Sequence, residues 1–62
     1  MWVQVKTASS LIVAEMWKEF FEGEGIPTWV RPEGVGRGEG DRYRILVPRE
    51  RTHLVEEVLR KV

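Results

Sequence analysis

The chain of 62 residues has no cysteine. That excludes a disulfide framework, a thiol nucleophile, and any cysteine-ligated zinc or iron–sulfur centre. It has one histidine, His53, so a multi-histidine metal site is excluded as well. No apolar run approaches the roughly 18 residues of a membrane span. The formal net charge is 0, which argues against a protein whose main task is neutralising nucleic acid phosphates. The first residues show no basic segment followed by a leucine-rich core, so the expectation is a cytoplasmic protein without a secretory leader. No membrane partner and no cofactor is expected.

What is present is apolar and aromatic surface in unusual quantity for so short a chain. Apolar residues make up 42% of the sequence and include Trp2, Trp17 and Trp29. The length allows one domain, residues 1–62, and a core of that size supplies only ~3–5 kcal/mol. Small scaffolds are commonly reinforced by a disulfide, a metal or a partner chain. With the first two excluded, the expectation is a homo-oligomer, most simply a dimer.

The order of elements follows from periodicity. Trp2-Val3-Gln4-Val5-Lys6-Thr7 alternates with period two, placing Val3, Val5 and Thr7 on one side of a strand and Trp2, Gln4 and Lys6 on the other. Ser9 or Ser10 caps a helix running from Leu11 to about Glu22, with apolar residues at 13, 14, 17, 20 and 21. Gly23 and Gly25 stop it. Ile26 to Val30 reads as a second strand, held to a sheet edge by Pro27. Residues 31–42 read as a flexible glycine-rich loop, with four of the six glycines on every second position. Tyr43 to Val47 is a third strand with Tyr43, Ile45 and Val47 on one face. Pro48 opens a last helix whose stripe is Leu54, Val55, Val58, Leu59 and Val62. The predicted fold is therefore α+β: a β-α-β-β-α, ferredoxin-like two-layer sandwich lacking its final strand, with sheet order 1-3-2 and both helices on one face. A bare strand edge and an uncovered sheet face carrying Trp2, Trp29 and Leu46 follow from that topology.

Ser10-Leu11-Ile12-Val13-Ala14-Glu15, then Phe20-Phe21-Glu22, Gly25-Ile26-Pro27 and a later strand ending Leu46-Val47-Pro48 resemble the bacterial family of short signal-transducing domains with a ferredoxin-like, PII-regulator-like fold. The resemblance covers nearly the whole chain. It implies a small cytoplasmic regulatory or adaptor module, and it brings no catalytic residues.

Two sets of candidate residues emerge. Alternating glycines let backbone N–H groups converge on an anion, and nearby arginines would neutralise phosphate. Arg31, Gly36, Arg37, Gly38, Arg42 and Arg44 are thus the candidates for a ligand site. The spacing is neither a dinucleotide fingerprint nor a P-loop, however, and Glu33, Glu39 and Asp41 blunt the field. The other set is an interface: Trp2, Gln4, Trp29 and Leu46 on the sheet, with Leu11, Ile12 and Met16 lying off the buried stripe of the first helix. Aromatics on a sheet face also stack bases in RNA-recognition modules, but the third strand lacks an aromatic pair and the chain is neutral. Residues 31–51 carry a net charge of +2 and residues 1–30 a net of −2, an asymmetry that would orient complementary subunits. His53 has no Ser or Asp neighbour at catalytic spacing, and Glu56 and Glu57 point about 100° apart on a helix. The sequence thus favours a non-enzymatic regulatory or protein-interaction module. The alternative is a small-ligand or nucleotide sensor built on the glycine- and arginine-rich loop.

Overall fold

A computed structural model describes residues 1–33 and 42–61. Its elements are β1 (Trp2–Ala8), α1 (Leu11–Gly23), β2 (Trp29–Pro32), β3 (Tyr43–Pro48), a 3-10 turn (Arg49–Arg51) and α2 (Thr52–Lys61). The three strands form one antiparallel sheet in the order β1-β3-β2, as expected from the sequence. The fold is thus α+β, with two helices.

Local chemistry sets both ends of α1. Ser10 adopts an extended conformation and its Oγ accepts from the Val13 N–H at 3.2 Å, satisfying one of the donors a helix start leaves free. At the other end the Ile26 N–H donates to the Phe21 carbonyl at 2.9 Å and the Gly25 N–H to that of Glu22 at 3.0 Å. These two bonds, with Gly25 at φ +86°, form a Schellman cap. Its usual apolar contact is here Ile26 with Phe21, both fully buried. The Arg51 guanidinium donates to the Gly25 carbonyl at 2.7 Å, placing a cation at the negative end of α1.

The core is one cluster. Phe21, Ile26, Ile45 and Val47 are its largest fully buried side chains, with Ala14 of α1 and Val55 and Val58 of α2 around them. Trp17, Phe20, Leu54 and Leu59 pack against it half-buried.

Four sequence expectations need correction. The second strand spans Trp29–Pro32, later than Ile26–Val30, because the cap draws Ile26 into the core and the Thr28 hydroxyl donates to the Ile26 carbonyl at 2.9 Å. Arg31 and Pro32 accordingly belong to β2 rather than to the loop, and the Glu33 N–H still reaches the Arg42 carbonyl at 2.9 Å. The rest of the expected loop, residues 34–41, lies outside the described residues, as does Val62. Pro48 ends β3 and is followed by the 3-10 turn before α2 begins at Thr52. The most consequential correction lies in β1, whose pairing with β3 shifts register between Gln4 and Lys6. This is a β-bulge, which puts two residues of one strand against one of its partner. Val3 faces Val47 and Gln4 faces Leu46, but beyond the bulge Lys6 faces Ile45, Thr7 faces Arg44 and Ala8 faces Tyr43. Lys6 therefore joins the helix-facing side and Thr7 leaves it, reversing their predicted sides.

Gly25 and Gly23 separate backbone conformation from packing, since a Cβ at either meets nothing within 4 Å. Gly25→Ala is expected to cost about 1–2 kcal/mol because only its φ is left-handed. Gly23→Ala is expected to be neutral or to stabilise by up to about 1 kcal/mol. Urea unfolding of both variants checks this pair.

Candidate functional site

The side of the sheet away from the core carries Trp2, Gln4 and Thr7 from β1, Trp29 and Arg31 from β2, and Arg44, Leu46 and Pro48 from β3. Register fixes these assignments, because directly opposed residues share a face and Trp2 faces Pro48, Gln4 and Trp29 both face Leu46, and Arg31 faces Arg44. β1 and β2 flank β3, so their backbones stand roughly 10 Å apart. Yet the rings of Trp2 and Trp29 stack with centroids 4.4 Å apart and planes 7° from parallel. Both indoles must therefore lean inward over β3. The consequence is visible in Leu46, which points away from the core and is only 8% exposed. The expected open apolar face is thus roofed by its own tryptophans.

Polar groups frame this roof. The Arg31 guanidinium lies 5.5 Å from the Trp29 ring centroid, a loose cation–π contact. The Arg44 Nε donates to Gln4 Oε1 at 3.2 Å. Arg31 and Arg44 face one another directly across β2 and β3, a like-charge pairing that costs stability. Glu33 is half-buried beyond the end of β2, and its Oε1 is shielded with no hydrogen-bond partner among the described residues.

The second surface is on α1. Ile12 is 73% exposed and Met16 64%, and a shallow cleft of about 370 Å³ is lined by Val13, Met16, Trp17 and Phe20. At 100° per residue these five side chains occupy one continuous arc, running from the outer side of the helix to the margin of the core. The sequence singled out Leu11, Ile12 and Met16 but read Val13 and Phe20 as core. The signal for the larger patch was present: an apolar arc this wide exceeds what one small sheet can cover. Leu11 lies elsewhere, lining a cleft of about 460 Å³ with Glu15, Lys18, Trp29, Val30 and Arg31. The predicted interface residues are therefore not brought together. Trp2, Gln4, Trp29 and Leu46 form the roofed sheet face, Ile12 and Met16 the α1 stripe, and Leu11 lines the separate cleft at the β2 margin.

The predicted ligand set also divides. Arg31 and Arg44 share the outer sheet face. Arg42 borders a third cleft, with Thr7, Ala8, Ser9 and Val13. Gly36, Arg37 and Gly38 lie outside the described residues. His53 is exposed on α2, and no group of three or more His, Asp or Glu side chains among the described residues is arranged to hold a metal.

Both outer strand edges carry features that discourage pairing. β2 is four residues long and ends in Pro32. β1 has its bulge and an inward-pointing Lys6, whose ammonium lies 4.6 Å from the Trp17 ring centroid. Short strands, proline, bulges and inward lysines are the recognised means of blunting a sheet edge. No helix of the described residues is long and apolar enough to cross a membrane.

No family model, curated protein or solved structure matches the chain.

The two apolar surfaces should respond differently to truncation. Trp2→Ala removes a stacked pair and uncovers Leu46, with an expected loss of about 2 kcal/mol. Ile12→Ser, on a side chain with little to lose, should change stability by no more than about 0.5 kcal/mol. Chemical unfolding of the two variants, at a concentration where neither self-associates, tests the assignment.

Proposed function

We propose that the chain is a non-catalytic protein-interaction module that makes its protein contact through the apolar stripe of α1, with a second copy of itself as the simplest partner. The observation that carries this reading is the exposure of Ile12 and Met16, 73% and 64%, contiguous with the cleft lined by Val13, Met16, Trp17 and Phe20. Scattered surface apolar residues need no explanation, but a contiguous stripe of them on one helix marks a contact surface. Methionine and aromatic side chains suit such a contact, since they bury much area and adapt to the facing surface.

The α1 route keeps Ile12 and Met16, already anticipated from the sequence, and sets aside the two routes through the sheet. Edge pairing is disfavoured by the bulge and Lys6 in β1, and by the shortness and terminal proline of β2. Stacking of the outer sheet face is disfavoured because its apolar centre, Leu46, is already covered. In this reading the fold is a ferredoxin-like two-layer sandwich without its last strand. That is supported by the strand order β1-β3-β2 and by the single core shared by α1, α2 and one sheet face. A regulatory, signal-transducing role rests on the resemblance carried by Ser10–Glu15, Phe20–Glu22, Gly25–Pro27 and Leu46–Pro48.

A photo-crosslinking amino acid placed at position 16 tests the contact in the cells that make the protein. Adducts with protein are expected at position 16 and not at position 56, on the exposed side of α2. An adduct at twice the chain mass identifies a second copy. Absence of any protein adduct at position 16, or equal adducts at both positions, would contradict the reading.

A further inference from the structure

From the outer face of the sheet, we infer that the chain also binds single-stranded nucleic acid there, with a base stacked on the Trp2–Trp29 pair and phosphates held by Arg31 and Arg44. This goes beyond the protein contact proposed for α1 and uses residues that contact does not.

Charge is the first ground. A net charge of 0 describes the whole chain, whereas the outward positions of the three strands carry two arginines and no acid. Register sets those arginines directly opposite each other. Their mutual repulsion is relieved by an anion between them, and Arg guanidinium groups match phosphate oxygens in pairs. Gln4 engages the Arg44 Nε at 3.2 Å, which fixes the side chain, and its terminal nitrogens have no hydrogen-bond partner among the described residues. Glu33 stands two residues beyond Arg31, which by alternation puts it on the same face, opposite Arg42, whose carbonyl accepts from the Glu33 N–H at 2.9 Å. The arginines still outnumber this one acid.

The aromatic geometry is the second ground. Trp29 is 46% exposed although it belongs to a stacked pair with Trp2. The group now on it is Arg31, at 5.5 Å from the ring centroid. An exposed cation–π contact is worth about 0.5–1 kcal/mol, and stacking of a base on an aromatic side chain about 1–3 kcal/mol. The base wins that competition. Displacing Arg31 also releases it toward the phosphate, so stacking and charge contacts form together. A flat, open face of this kind suits a strand, which gathers several weak contacts, better than a free nucleotide, which needs an enclosing pocket. An acidic peptide would satisfy the arginines but would leave the planar stack unused.

Tryptophan fluorescence of the full chain, titrated with an oligouridylate of about ten nucleotides, tests this directly. The expected result is saturable quenching at low salt that weakens as salt rises. Arg31→Ala and Arg44→Ala should each weaken binding about fivefold to tenfold and reduce the salt slope by about one. Trp29→Ala should abolish binding while circular dichroism stays that of the wild type. If that variant unfolds, the two arginine variants decide the matter. Absence of quenching at low salt would overturn the inference. So would equal binding of polyglutamate, which would mark general attraction of polyanions. Equal quenching by uridine monophosphate at the same nucleotide concentration would assign the face to free nucleotides and overturn the strand.

Discussion

One extra residue in β1, between Gln4 and Lys6, determines what each side of this sheet presents. Before the bulge, Trp2 and Gln4 point away from the core and Val3 toward it. After the bulge Lys6 points inward and Thr7 outward. Without that shift Lys6 would join Arg31 and Arg44 on the outer face, and Thr7 would take an inner position. With it, the Lys6 ammonium rests over Trp17 at the border of the core, and Ala8 is the small buried residue opposite Tyr43. The bulge also bends the strand and increases its twist, so β1 offers a poor template to another chain. The outer face, the blunted edge and the margin of the α1 stripe thus share one cause.

A core of this size leaves little stability to spare, and the local devices around it are correspondingly economical. The cap of α1 settles two carbonyls, positions Ile26 against Phe21 and receives Arg51 from the 3-10 turn. One short segment therefore ties α1 to the turn that leads into α2. On the far side of the sheet, the stacked indoles lean over β3, where Leu46 is only 8% exposed. That self-coverage separates the two surfaces in kind. The sheet face is aromatic, cationic and closed over its own leucine, whereas the α1 stripe is apolar and remains open.

Much of this was legible in the sequence, because it rests on chemistry acting over a few residues. A serine cap at Ser9 or Ser10, a glycine stop at Gly23 and Gly25, the inward triplet of β3 and the edge position of β2 all follow from residue type and spacing. The bulge was not legible, since Trp2 to Thr7 alternates without a break. The shifted register brings the Lys6 ammonium over Trp17, a tertiary contact that no local pattern encodes. The start of β2 was misplaced for a related reason: Ile26 has high strand propensity, but the helix cap and Phe21 claim it first. On the outer face the sequence placed Trp2, Trp29 and Leu46 correctly but as an open surface, because a period-two reading cannot show two side chains leaning together across an intervening strand. On α1, three predicted contact residues separated onto two surfaces once Leu11 turned toward β2.

In the proposed arrangement, protein contact runs through α1 while the outer sheet face stays open to solvent and ligand. The most direct test is a concentration series of amide and indole N–H spectra of the full chain by nuclear magnetic resonance. Concentration-dependent shifts should cluster at Ile12, Val13, Met16 and Phe20 and leave the Trp2 and Trp29 indole signals unmoved. Shifts centred instead on those two indoles, or on the backbone of Val3 to Thr7, would contradict it.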